Sequence, residues 1–185
     1  MPRAIALSRR RLAGIPNLWA DRRFKARRGI AGFDLAQNRY LGTITNVRST
    51  PRHLLISPDQ KSLIASSNVT GYVSVFNLNT LIDELIQSRG NRIRGTTPKE
   101  ISVGSGARTI EIEPNGKYVY VAVNNDTKVV AVDIETSKVV AEVKVDPFPV
   151  GFAISKDGTY IAVTSQGHAG KGGGNAVNII KVVQK

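Results

Sequence analysis

The sequence has 185 residues, 41% of them hydrophobic, and no cysteine. It is therefore long enough for one packed core, and disulfides and zinc–thiolate sites are excluded. Its net charge of +12 is uneven, because residues 1–28 hold nine of the 26 bases and only one acid. No apolar run approaches the ~20 residues that a membrane-spanning helix needs, so a soluble chain is expected.

Residues 1–28 are predicted to be a basic, disordered tail, because their charge is unbalanced and their pattern does not recur later in the chain. Such an arm is also able to bind polyanions, so contact with nucleic acid is an open alternative. The stretch Ser8–Gly14 faintly resembles a twin-arginine export motif, but the apolar run after it is short and contains Pro16. The tail therefore gives no convincing signal peptide, and the compartment is left open.

From residue 29 onward the sequence repeats a unit of about 40 residues. Copies anchored at Pro51, Ala107 and Pro149 each begin with a short apolar strand, then a turn, then strands rich in Val, Ile and Tyr. Asn-Gly and Asp-Gly pairs in two of the turns favour tight hairpins. The repeat predicts an all-β fold of four-stranded antiparallel blades. The predicted units are a partial blade over 29–47, full blades over 48–104 and 105–145, and a partial blade over 146–185.

One insertion interrupts the repeat. Within residues 81–89, Leu81, Ile82, Leu85 and Ile86 have helical spacing, which predicts a short amphipathic helix between the third and fourth strands of the blade over 48–104. We expect this helix to cover an outer edge strand, because exposed edges favour unwanted pairing.

Three polar residues recur at one position directly after a strand, namely Asp34, Asn77 and Asp133. An Asx side chain there is expected to accept backbone N–H groups and so to cap a turn. Glu111 and Glu113 flank Ile112 next to a surface turn, and both are expected to be solvated.

The order of Pro, Ile, Asn/Asp-Gly and Tyr along the repeat, followed by "YVAVN" over Tyr120–Asn124 and then by "VVAVDIET", resembles the YVTN-type repeat of bacterial seven-bladed β-propellers. The resemblance covers residues 29–185 and is best over 105–166. It implies a periplasmic or extracellular protein. Seven blades need roughly 280 residues at this period, so we expect an incomplete, open arc that self-associates through its exposed blade faces.

Arg52 and Arg108 occupy the same repeat position, at the start of an innermost strand, where the third copy has Val150. In a propeller this position lies at the mouth of the central channel. Paired guanidiniums there are suited to a phosphate or carboxylate. An inter-blade salt bridge, to Glu113 or Asp146, is an equally good interpretation.

His168 and Lys171 lie in a glycine-rich segment over 165–175, which predicts a loop able to fold over a ligand. It is not a phosphate-binding P-loop, because Ser165 replaces the first glycine and Gly172 follows the lysine. His53 and His168 are far apart in the sequence and have no partner at metal spacing, so we expect neither a metal nor a cofactor.

These observations favour a non-enzymatic binding module for an unidentified protein or a small anionic ligand, with Arg52, Arg108, His168 and Lys171 as candidate contacts. One alternative is an anion or nucleic-acid binder that also uses the tail. Another is a fragment of a propeller enzyme, either a lactonase or a cofactor-dependent oxidoreductase. No catalytic residue is assigned, because the chain lacks cysteine chemistry and a nucleophile elbow.

Overall fold

The computed structural model describes residues 6–7, 12–17, 29–168 and 174–183. The chain is nearly all β, with four sheets and one helix in the described residues, and the sheets follow one another along the chain as an open series. We call them blades 1 to 4. Their strands are antiparallel neighbours apart from one short parallel pair, which confirms the predicted class of fold.

The elements of the first two blades follow in chain order. Blade 1 contains β1 (Ala6–Leu7), β2 (Leu12–Asn17), β3 (Gly29–Asp34) and β4 (Arg39–Ile44). Blade 2 contains β5 (Pro51–Ile56), β6 (Ser62–Ser67) and β7 (Tyr72–Asn77), then α1 (Leu78–Gln87), β8 (Arg92–Ile93) and β9 (Lys99–Ser102). In blade 2 the sheet order is β5-β6-β7-β9, while β8 joins the outer edge of blade 1.

The last two blades are simpler. Blade 3 has the four consecutive strands β10 (Ala107–Ile112), β11 (Tyr118–Val123), β12 (Lys128–Asp133) and β13 (Lys138–Lys144). Blade 4 has three strands in the described residues, β14 (Pro149–Ile154), β15 (Tyr160–Ser165) and β16 (Ala176–Lys181). Each blade begins with its innermost strand, and β5, β10 and β14 contact one another in sequence.

Blade 1 differs from the sequence interpretation. Two segments predicted to belong to the tail are strands, and β2 pairs with β3 along its whole length, from Leu12 opposite Asp34 to Asn17 opposite Gly29. The sequence pattern missed β2 because it contains Gly14 and Pro16, both of which are poor strand residues. Residues 18–28, which hold Arg22, Arg23, Lys25, Arg27 and Arg28, lie outside the described part of the chain.

The helix begins three residues before the predicted insertion. Asn77 ends β7, and its Oδ1 accepts the N–H of Thr80 at 3.0 Å, so the helix starts directly from the strand. The buried helix residues Leu81, Ile82 and Leu85 belong to one apolar cluster with Ile30 of β3 and residues of β4 to β7. Beyond the helix, β8 pairs in parallel with β4 and covers the outer edge of blade 1. The edge is thus protected by both helix and strand.

The three recurrent Asx residues cap turns as expected. Asp34 Oδ1 accepts the N–H groups of Ala36 and Gln37, at 2.9 and 3.1 Å. Asp133 Oδ1 accepts the N–H of Thr136 at 2.8 Å, and Asn77 caps α1. Each carboxylate or amide therefore serves the backbone of its own turn.

Apolar clusters fill the spaces between blades. The space between blades 2 and 3 is lined by fully buried β-branched residues, for example Ile64, Val73, Ile110 and Val121. The space between blades 3 and 4 holds Tyr120, Val129, Ile161 and Val163, among others. The core of this protein therefore lies between neighbouring sheets and holds the inner strands in a fixed order.

Candidate functional site at the upper end of the inner strands

Three inner strands begin at the same end of the protein. Because β11 runs antiparallel to β10 and β12 to β11, the start of β10 lies next to the loop between β11 and β12. In blade 4, Pro149 is opposite Ser165, so the segment after β15 lies at this end too. We call the end where Pro51, Ala107 and Pro149 lie the upper end, and the end with the first turn of each blade the lower end. Arg52, Arg108 and His168 all lie at the upper end.

Each of these inner strands has a bulge at its upper end. The pairing register shifts between Pro51 and Leu54, between Ala107 and Ile110, and between Pro149 and Gly151. A bulge removes backbone groups from the ladder and redirects side chains, and bulges are common next to binding sites. The two arginines of the repeat therefore lie at structurally equivalent, irregular positions.

Side chains take up the backbone groups that the bulges release. The N–H of His53 donates to Ser66 Oγ at 3.1 Å, and the Ser66 hydroxyl in turn donates to the carbonyl of Arg108. Thr109 Oγ1 donates to the carbonyl of Val150, and Gly151 N–H donates to Thr164 Oγ1 at 3.1 Å. Blades 2, 3 and 4 are thus joined at the upper end by hydrogen bonds between side chain and backbone.

His53 bridges two blades with its ring. Its Nδ1 accepts the N–H of Ile110 at 3.1 Å, so the neutral tautomer carries its proton on Nε2. Burial lowers the pKa of this imidazole. The ring is therefore part of the interface between blades 2 and 3, and it keeps an Nε2–H donor for which no acceptor is found among the described residues.

Arg108 and His168 come together through a residue that the sequence pattern did not single out. The Arg108 guanidinium lies 5.8 Å from the centre of the Phe148 ring, and the His168 ring packs edge-on against that ring at 5.6 Å. The segment is held in place because Gln166 N–H donates to the carbonyl of Phe148 at 3.0 Å. Phe148 has φ +60°, a left-handed conformation that a bulky residue rarely adopts.

Arg52 is half-buried and engaged by neighbours, as is Arg108. Of the two acids that are candidate salt-bridge partners, Asp146 accepts the side-chain amide of Asn178 at 2.7 Å. The salt-bridge interpretation and the ligand interpretation of the two arginines both remain predictions. Lys171 lies outside the described residues.

Glu113 is buried, which corrects the expectation that it is solvated. It is 3% exposed, because it occupies the position of Ser57 and Ser155 in the repeat and packs beneath the lower turn of blade 4 near Gly158. Burial, together with a smaller contribution from the charge of Glu113, raises the pKa of Tyr120 to about 12. These groups lie toward the lower end, away from the arginines.

Glu111 lies on the same strand as Arg108 and is half-buried. Burial raises the pKa of its carboxyl group. Three positions of strand separate it from Arg108, which corresponds to roughly 10 Å between Cα atoms.

The four successive sheets, packed face to face with their inner strands in order, define an incomplete β-propeller with a donor-rich upper end. Residues 45–169 match the family described as "Lactonase, 7-bladed beta-propeller". The match covers more than half of the chain, and the chain belongs to this family. The seven-bladed class implied by the sequence resemblance is confirmed, whereas the YVTN type remains a prediction.

Solved structures with the same fold are longer than this chain. Hydrazine synthase from Kuenenia stuttgartiensis matches with a TM-score of 0.74 and 22% identity, over 97% of this chain and 46% of that one. A functionally unknown protein from Desulfotomaculum acetoxidans DSM 771 matches with a TM-score of 0.68 and 14% identity, over 89% and 49%. The chain thus spans about half the length of these proteins, and the likeness concerns the fold alone. None of the curated proteins matches the sequence.

No helix in the described residues is long and apolar enough to cross a membrane.

Proposed function

We propose that this chain is a binding module that holds a small anionic ligand, of the phosphate or carboxylate class, at its upper end. The observation that carries the proposal is the hydrogen bond from Ile110 N–H to His53 Nδ1. With Nδ1 occupied, the neutral ring offers a donor at Nε2, and Arg52 is the preceding residue of β5. A guanidinium has only donors as well, so the groups gathered here are suited to an acceptor-rich ligand.

The surrounding contacts support preorganisation. Ser66 fixes the bulge of blade 2 against the carbonyl of Arg108, and Phe148 lies against both Arg108 and His168. Donors held by a rigid scaffold lose less entropy on binding than donors on mobile chains. The same rigidity argues for a small ligand, because the inner strands of blades 2 and 3 are held between neighbouring blades.

The test is calorimetric titration of the full chain with inorganic phosphate and with malonate. We expect Arg52→Ala together with Arg108→Ala to abolish measurable binding while leaving the circular dichroism spectrum unchanged. Lys156→Gln removes one charge at the lower end of blade 4 and serves as the control that retains binding. Unchanged affinity in the double variant would refute the proposal, and unfolding of the double variant would show that the arginines are structural.

The family match favours a second candidate, lactone hydrolysis. Attack of water on an ester carbonyl needs a base and donors for the developing oxyanion. His53 Nδ1 is not available as that base because it accepts Ile110 N–H, which leaves the half-buried Glu111 of the same blade pair as the candidate base. Hydrolysis of a panel of γ- and δ-lactones, followed by proton release, tests this candidate. Lactone hydrolysis by the wild-type chain that is lost in Glu111→Gln would establish this second candidate function.

A further inference from the structure

A separate pocket lies away from the inner strands, where blade 1 meets the end of α1. Its volume is about 220 Å³. The lining combines two arginines with apolar and aromatic surface, from Arg39, Tyr40, Leu41, Ile86, Arg89 and Gly90. These residues are brought together from two segments almost 50 positions apart in the sequence.

The floor of the pocket is fixed by hydrogen bonds. Gly90 N–H donates to the carbonyl of Leu41 at 2.8 Å, and Ser88 Oγ donates to the same carbonyl at 2.8 Å. Gly90 has φ +84°, and a Cβ at this position would meet the edge of the Tyr40 ring at 4.0 Å. The chain therefore leaves α1 along a defined path that places Arg89 beside β4.

The aromatic wall is fixed as well. The Tyr40 hydroxyl lies 2.6 Å from Thr43 Oγ1, and its ring is 5.4 Å from the Phe33 ring. Ile86, which is 51% exposed, provides apolar surface on the helix side. This surface is available to a ligand without prior rearrangement.

The two guanidiniums at this pocket have no anionic partner among the described residues. The nearest acid along the hairpin is Asp34, which is opposite Arg39 in the strand pairing. Its Oδ1 accepts the amides of Ala36 and Gln37. Among the described residues, neither Arg39 nor Arg89 forms a direct ion pair.

We infer that this pocket binds an aromatic carboxylate of about the size of benzoate. An apolar cavity of about 150 Å³ holds one benzene ring, so about 220 Å³ accommodates a ring with a charged substituent. The ring packs on Tyr40, Leu41 and Ile86, and the carboxylate pairs with Arg39 and Arg89. Inorganic phosphate fits less well, because it leaves the apolar floor in contact with water.

The experiment is titration of the full chain with sodium benzoate, followed by NMR shifts of the Gly90 amide and the Tyr40 ring. We expect millimolar affinity for benzoate. Phosphate should bind more weakly because it has no apolar ring, and benzyl alcohol because it has no carboxylate. Arg39→Gln or Arg89→Gln alone should weaken benzoate about threefold, and the double variant about tenfold, as expected for exposed pairs. Arg94→Gln is the matched control outside the pocket and should change nothing.

Three outcomes would overturn the inference. One is the absence of benzoate-dependent shifts at Gly90 and Tyr40 in the wild-type chain. Another is equal benzoate affinity of the wild type and the double variant, measured from these two signals. The third is phosphate shifting the same two signals with an affinity as high as that of benzoate. Ile86→Ala keeps both charges and the fold, so a loss of benzoate affinity without a loss of phosphate affinity would support the apolar contact independently. The upper end shares no residue with this pocket, so the two sites succeed or fail separately.

Discussion

The Nδ1 atom of His53 accepts the backbone N–H of Ile110 at 3.1 Å, and this one contact joins the inner strands of blades 2 and 3. It has two consequences. It requires an unprotonated Nδ1, and it fixes the proton of the neutral ring on Nε2. The stability of the blade pair and the chemistry of the upper end are therefore linked through one imidazole.

The first prediction concerns pH. Burial lowers the pKa of His53 in the folded state, whereas the unfolded chain protonates near 6.5. The unfolded state thus takes up the proton first, so the free energy of unfolding is highest above about pH 6.5 and falls as the pH is lowered through that value. Urea unfolding between pH 8 and pH 5 measures this slope.

Two variants of His53 separate titration from hydrogen bonding. His53→Gln retains an acceptor for Ile110 N–H and does not titrate, so it should flatten the slope between pH 7 and pH 5. His53→Leu leaves that N–H unpaired and should lose about 1–3 kcal/mol at pH 8. If the free energy of unfolding of His53→Gln depends on pH as steeply as that of the wild type, groups other than His53 cause the dependence.

The second prediction concerns Phe148. Replacing it with Leu keeps most of the apolar volume but removes the aromatic face that contacts Arg108 and His168. The expected loss of stability is about 0.5–1 kcal/mol, the usual value of an exposed cation–π contact. The His168 ring signals should move toward their values in an unstructured peptide. If the His168 signals do not move in Phe148→Leu, the ring contact does not position that side chain.

The third prediction concerns polyanions. Residues 1–28 carry much of the net charge, but deleting them all would also remove β1 and β2. Replacing Arg22, Arg23, Lys25, Arg27 and Arg28 with Gln keeps both strands. Any affinity for duplex DNA should fall strongly, and its dependence on salt should become shallower by nearly one unit for each phosphate that the variant no longer neutralises. Unchanged DNA affinity would place polyanion binding on the blades.

The fourth prediction concerns the outer face of blade 4. Val177 and Ile179 are 60% and 64% exposed, whereas Val129, the equivalent of Val177 in blade 3, is 3% exposed beneath blade 4. A face built like a blade interface but left uncovered favours self-association. Light scattering at micromolar concentration should detect oligomers of the wild-type chain. The double variant Val177→Lys with Ile179→Lys should be monomeric. Val69→Lys, at an exposed loop residue, is the control. A wild-type chain that stays monomeric would contradict this prediction.

The sequence was sufficient for blades 2 to 4 but not for the first strands of blade 1 or for the contacts between blades. Alternating Val, Ile and Tyr and the paired turns predicted the strands of blades 2 to 4, because strand formation depends on local pattern. Phe148 and Glu113 were not recognised as buried or site residues, because their roles depend on the neighbouring blade. Arg108 was selected by its repeat position, but its partner Phe148 lies in a turn without a repeat signal. The pocket beside α1 was not predicted, because it forms where the hairpin of blade 1 packs against the helix, and these segments are far apart in the sequence.

The central claim, that the upper end is an anion site built from donors, is tested most directly by nitrogen NMR of His53 during a phosphate titration of the wild-type chain. At pH 8 we expect a neutral ring with Nδ1 unprotonated and Nε2 protonated. Added phosphate should shift His53 Nε2 and the amide of Arg108. A ring protonated on Nδ1, or phosphate-dependent shifts that avoid both residues, would contradict the claim.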